Sequence, residues 1–159
     1  MYINPSQFVG QKGQKPDHKE ELAKLFQSRA DGLNLLAFGE EDADKKDDYL
    51  ERASISKDIA KIAKSTDYKG KNIDDFFRYL LKQRTEAKKI SDQDQALFRS
   101  IDPKKTEERD RALNKYNESL KETIRLGLAL KEFAEQYPKY KKKLPEGLPQ
   151  KFIITVPEK

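Results

Sequence analysis

The chain has 159 residues, with 33 basic side chains against 28 acidic for a net charge of +5, and no cysteine. Near-cancelling charge, seven tyrosines and eight phenylalanines exclude the composition of a disordered chain, and the length is enough for one domain with a real core. Without thiols there are no disulfides, thiolate nucleophiles or cysteine-based zinc sites, and no apolar run has the length of a signal-peptide core or a membrane span.

Residues 1–16 hold two glycines and two prolines without apolar periodicity, so an extended arm is expected. Asp17 then reads as the N-cap of a first helix, with Glu20 as its capping-box partner. Leu22, Leu25, Phe26, Leu33 and Leu36 make its inner stripe, and Asp31-Gly32 marks an expected break. His18, the only histidine, falls in the first turn among charged neighbours and is expected to be solvated. A Ser-His-Asp triad would have to use it, and nothing around it would orient the ring.

The acidic knot Glu40, Glu41, Asp42, Asp44, Asp47 and Asp48 opens a second helix, expected over Asp42–Lys64. It fails the calcium-loop template, because Lys46 holds the fifth ligand position and no glycine the sixth. Carboxylates in a first turn favour the positive end of the helix dipole, which explains the knot as a start signal. Carboxylate-only catalysis would need a concave pocket near Glu40–Glu51. The inner side of this helix is expected to be Leu50, Ala53, Ile55, Ile59, Ile62 and Ala63.

A loop with Gly70 leads to a third helix, expected from about Asn72 to Lys89. Its apolar residues Ile73, Phe76, Phe77, Tyr79, Leu80 and Leu81 crowd more than one face, the pattern of a helix buried on several sides. Ser91 and Asp94 then read as a new cap for a short helix carrying Ala96, Leu97, Phe98 and Ile101.

For the last helix Asp102 is the expected N-cap, Pro103 the first helical residue and Pro138 the stop. At 35 residues it would be about 50 Å long, more than the roughly 40 Å diameter of a domain of this size. Residues 103–111 lack large apolar side chains and are expected to protrude, with packing from Ala112 to Tyr137. Gly127, inside the apolar run LGLAL, costs about 1 kcal/mol relative to alanine. It marks either a tolerated glycine or the close approach of another helix.

The fold class that follows is all-α: a bundle of four to five helices over residues 17–138 with one long C-terminal helix. It is flanked by the arm and by a basic, proline-containing extended tail, 139–159, with a short strand-like segment at Lys151–Val156. No glycine spacing cradles phosphate, so no cofactor, metal, small-molecule substrate or enzymatic activity is expected, and the expected location is the cytoplasm.

The candidate binding residues are basic. Lys57, Lys61 and Lys64 recur at four and three on one stripe, Lys69 and Lys71 flank the next turn, and Arg78, Lys82 and Lys89 line the third helix. With Tyr68 available for stacking, residues 57–89 are a candidate phosphate-backbone surface. Lys139, Lys141, Lys142 and Lys143 form a second basic run in the tail, interleaved with Tyr137 and Tyr140. Phe152, Ile153 and Ile154 lie in an apolar strand without a partner in its own sequence, which either pairs with another chain's sheet edge or folds back on the bundle. The expected function is non-enzymatic interaction with a protein partner or a second copy, with nucleic-acid binding as the alternative.

Overall fold

Asp17 starts α1 (His18–Gly39) by accepting the amide of Lys19 at 3.1 Å, and Asp42 starts α2 (Ala43–Lys64) by accepting those of Asp44 and Lys45. α3 (Ile73–Ser100) opens on a reciprocal cap. The Asn72 side chain accepts the Asp75 amide at 2.9 Å, and the Asp75 carboxylate reaches back to the amide of Lys71 at 2.8 Å. α4 (Thr106–Gln136) is followed by a 3₁₀ helix, Pro138–Lys143. The computed structural model describes residues 17–152, and they form an all-helical bundle of these four long helices. The expected arm, 1–16, and residues 153–159 lie outside the described residues.

Four expectations about the course of the helices need correction. α1 passes through Asp31-Gly32 without a break. α3 continues past Lys89 to Ser100 because Ser91 and Asp94 are buried helix-interior residues, and Asp94 pairs with Lys115 of α4 at 3.6 Å. Tertiary packing overrides their capping tendency there. α4 begins at Thr106, because Asp102 closes a turn instead: its carboxylate accepts the Lys104 amide and its carbonyl the Lys105 amide. The start of α4 does not protrude alone, since Arg109 lies 4.4 Å from the Phe98 ring centre and donates to the Ile101 carbonyl. The length mismatch is resolved by a second long helix, α3, running beside α4 as an antiparallel hairpin.

The α1–α2 hairpin packs on the α3–α4 hairpin chiefly through α2 and α4. Arg125 of α4 pairs with Asp58, whereas Glu132, two turns on, meets Arg52, so α2 and α4 run in opposite senses. The core centres on Phe133, fully buried, whose ring centroid lies between 5.0 and 6.0 Å from those of Phe26, Phe76, Phe77, Tyr137 and Tyr140. Burying one such side chain is worth roughly 1.5–3 kcal/mol, so this cluster supplies a large part of the cohesion. A smaller cluster, Ala30, Leu33 and Ala53 with Tyr49, continues the α1–α2 seam.

Candidate functional site

The end of α1 follows from where α4 stops. Arg29 reaches Glu132 and also Gln136, the last residue of α4. The next turns of α1 therefore lie past α4, and a pair of helices buries only one seam, here Ala30 and Leu33 with Ala53, and Ala37 buried further along α1. The remaining large apolar side chains are left in water: Leu35 is 74 % exposed, Leu36 54 %, Phe38 89 % and Leu50 44 %. Leu36 and Leu50 were expected inside, and this corrects them. Glu41, Asp42, Asp44, Asp47 and Asp48 follow directly in the chain, all exposed, with Lys45 and Lys46 between them. Asp42 caps α2 and Glu40 accepts the Asp42 amide. Capping thus explains two of the six acids of the knot.

The basic candidates separate into groups. Lys57, Lys61 and Lys64 are exposed along α2, and Lys24 of α1 joins them. Lys24, Lys61 and Lys64 line a groove of about 360 Å³ with Ala23, Gln27, Ser28 and Ala60, a lining without a carboxylate. Among the described residues none of these four lysines makes an ion pair. Lys69 and Lys71 are exposed in the connection to α3, as are Arg78 and Lys82 on α3 itself.

Arg78 shares its surroundings with the tail. The Tyr140 hydroxyl donates to Asp74, and that bond holds the Asp74 carboxyl below its usual range, with Lys139, Lys143 and Arg78 adding to the effect. Burial, with Asp74 beside it, pushes Tyr140 up to about 12. The Lys139 and Lys143 ammonium groups lie 5.1 and 5.7 Å from the Tyr140 ring centre. Lys141 pairs with Glu135 at 3.4 Å, and Lys142 is exposed. The tail's first turn is therefore helical and anchored, where an extended segment was expected.

Tyr68 is not available for stacking. It is buried against Phe76 and Tyr79, and its hydroxyl lies 2.7 Å from His18 Nε2 while donating to the Asn72 carbonyl at 3.3 Å. Burial pushes this phenol up to about 12. His18 is correspondingly half-buried and engaged, not solvated.

Phe152 folds back on the bundle. Its amide donates to Glu51 at 2.6 Å, and Arg125 lies 5.8 Å from its ring centre. Ile153 and Ile154 lie outside the described residues. A concave cleft of about 300 Å³ does sit beside the acidic start of α2, between Asp48, Glu51, Arg52, Lys131, Glu132 and Glu135. Its inner groups are engaged in structure: Glu132 by Arg29 and Arg52, Glu51 by Phe152, and Lys131 by the Pro149 carbonyl.

Among the described residues no cluster of three or more histidine or carboxylate side chains is arranged to hold a metal, and no helix is long and apolar enough to cross a membrane. No family model matches the chain, and neither a curated protein nor a solved structure matches it significantly.

Proposed function

We propose that the protein is a non-enzymatic interaction protein whose α1–α2 tip docks onto a protein partner bearing an apolar face with basic flanks. The observation that carries this reading is the bare Leu35, Leu36 and Phe38 at the end of the bundle, Phe38 being the one aromatic side chain among the described residues that is exposed. Covering such side chains releases roughly 1.5–3 kcal/mol each, the currency of an interface centre. The charge of the tip selects the partner class. Residues 39–50 carry a net charge of −4, which repels phosphate backbones and anionic lipid and favours a cationic protein surface.

A photoreactive side chain at Phe38, in full-length protein expressed in its host, is expected to crosslink a protein after nuclease treatment. The same group at Lys82 serves as control. Leu35→Asp with Phe38→Asp should abolish the crosslinked species from a neighbouring tip position while leaving the thermal transition in place. Identical crosslinking by the double variant and the parent would refute the reading.

A second reading rests on the groove lined by Lys24, Lys61 and Lys64, with Lys57 beside it. Four exposed ammonium groups without an ion-pair partner among the described residues suit a nucleic-acid backbone. It expects binding that weakens steeply with salt and disappears on reversing Lys57, Lys61 and Lys64 to glutamate. Absence of any mobility shift with DNA or RNA at low salt would remove it.

A further inference from the structure

One face of α4 is covered by the chain's own C-terminal segment. A Cβ at Gly127 would stand 2.8 Å from Pro149 Cδ, so the close approach at this glycine is that of a tail proline, not of another helix. A second face, between α3 and α4, is open. Ala87 and Ile90 of α3 and Leu126 of α4 line a groove of about 260 Å³ there, and Ile90 is 50 % exposed. Glu86 and Glu122 line it too, both exposed, and neither makes an ion pair among the described residues. No cation is part of the lining. Apolar side chains beside two unpaired carboxylates select an occupant that is apolar and cationic.

The segment ahead of α1 has that chemistry. Residues 1–16 include Phe8 and Val9, then Lys12 and Lys15, and no acidic residue. The point of attachment is close to the groove. Lys19, in the first turn of α1, donates to the Ser65 carbonyl at the end of α2 at 2.6 Å. Ile62, three residues before Ser65, lines a neighbouring groove together with Glu122 and Leu126.

The eight residues from Val9 to Asp17 reach up to about 26–29 Å when extended. Two other surfaces compete less well. The groove of Lys24, Lys61 and Lys64 repels Lys12 and Lys15, and the apolar tip begins roughly 25 Å along α1, from His18 to Leu35.

We propose that the α3–α4 groove is the docking site of this chain's own residues 8–15. Phe8 and Val9 rest on Ile90 and Leu126, and Lys12 and Lys15 stand beside Glu86 and Glu122. A tethered segment meets its groove at an effective concentration in the millimolar range, so a modest intrinsic affinity keeps the groove filled. The site shares no residue with the α1–α2 tip and does not depend on what the tip binds.

The test uses the full-length protein. The chain has no cysteine, so Gln7→Cys provides a single position for a nitroxide label. The label should broaden the amide signals of Ala87, Ile90 and Leu126 at least tenfold more than those of Leu35 and Phe38. Phe8→Asp with Val9→Asp should remove that broadening. So should Glu86→Lys with Glu122→Lys, two exposed positions where the fold is retained.

Uniform broadening, broadening centred on the tip, or a pattern unchanged by both pairs of substitutions would overturn the site. In a mixture of labelled chains with unlabelled, isotope-enriched ones, the enriched signals should stay sharp. Broadening there would overturn docking within one chain. Leu35→Asp with Phe38→Asp should leave the pattern unchanged, so failure here is distinguishable from failure of the tip reading.

Discussion

Replacing Glu132 by glutamine tests how the two hairpins are fastened. The carboxylate side chain is 5 % exposed and takes Arg29 Nε at 2.7 Å and Arg52 Nε at 2.8 Å, linking α4 to both helices of the other hairpin. The bond to Glu132 also raises the Arg52 guanidinium above its ordinary value. Glutamine keeps the shape, but its amide offers one acceptor oxygen and turns a donor toward the second guanidinium. Each charge-assisted bond is worth about 1.5–3 kcal/mol.

The arginine side chains are 21 % and 33 % exposed, so they regain water when the partner goes, and the full loss of about 3–5 kcal/mol for a broken buried pair is not expected. The outcome should be about 2–3 kcal/mol less stability in urea unfolding followed by circular dichroism, with Tm lower by about 2–4 °C per kcal/mol. Changing all three residues to apolar ones of similar volume, Arg29→Leu, Arg52→Met and Glu132→Leu, should recover most of the loss, because no charge is then left buried. A loss under about 0.5 kcal/mol for Glu132→Gln would refute the reasoning.

Gly70→Ala should cost about 1–3 kcal/mol in the same assay, since its Cβ would run into the buried Tyr68 ring, 2.6 Å from Cζ, and disturb the bond to His18. Stability should hold up to the ordinary tyrosine value of 10.0 and then fall toward pH 12. Tyr68 and Tyr140 stay neutral in the folded chain to about 12, while in the unfolded chain they ionise near 10. Tyr140→Phe should shrink that fall, and a flat alkaline profile would contradict it. Asp74 acts oppositely: its lowered value contributes stability above 3.8 that is lost as pH falls below, measurable as an acid limb weakened in Asp74→Asn. Phe38→Asp should change unfolding stability by no more than about 0.5 kcal/mol, because its side chain is in water already.

Local signals in the sequence place α1, α2 and the centre of α4 well. Asp17, Asp42 and Asn72 cap as their side chains dictate, and the apolar spacing names Phe26, Ile59, Phe76 and Leu80 as core. The errors arise where a neighbour decides. Ser91 and Asp94 have the chemistry of a cap, but α4 buries them, and Asp102 caps a turn in place of a helix. The lysine stripe at 57, 61 and 64 is legible from spacing, whereas the grouping of Arg78 with Lys139 and Lys143 exists only because Tyr140 is drawn onto Asp74. Tyr68 was misplaced for the same reason: a connecting loop lays it between α1 and α3. The apolar tip did leave a trace. Leu33, Leu35, Leu36 and Phe38 put four large apolar side chains in six residues, more than one helix seam can cover.

The offset between the hairpins ties these surfaces together. Ion pairs join α4 to α2 from Arg125–Asp58 to Glu132–Arg52, in the middle of α2 and the C-terminal half of α4, and the first turns of both helices lie beyond that stretch. At the α3–α4 end Ser91, Asp94 and Tyr116 face inward, and Ile90 and Leu97 are half-exposed, at 50 % and 48 %. At the α1–α2 end the apolar excess is larger, with Leu35, Leu36, Phe38 and Leu50 all exposed and the acidic stretch 40–48 adjoining them in the chain. A two-helix end with surplus apolar area gains more from a further surface than from its own seam, because that seam is already filled by Ala30, Leu33, Ala37 and Ala53. Polar residues at Leu35 and Phe38 should cost the fold little, because both side chains are already mostly in water, and those same side chains are the ones the proposed docking would cover.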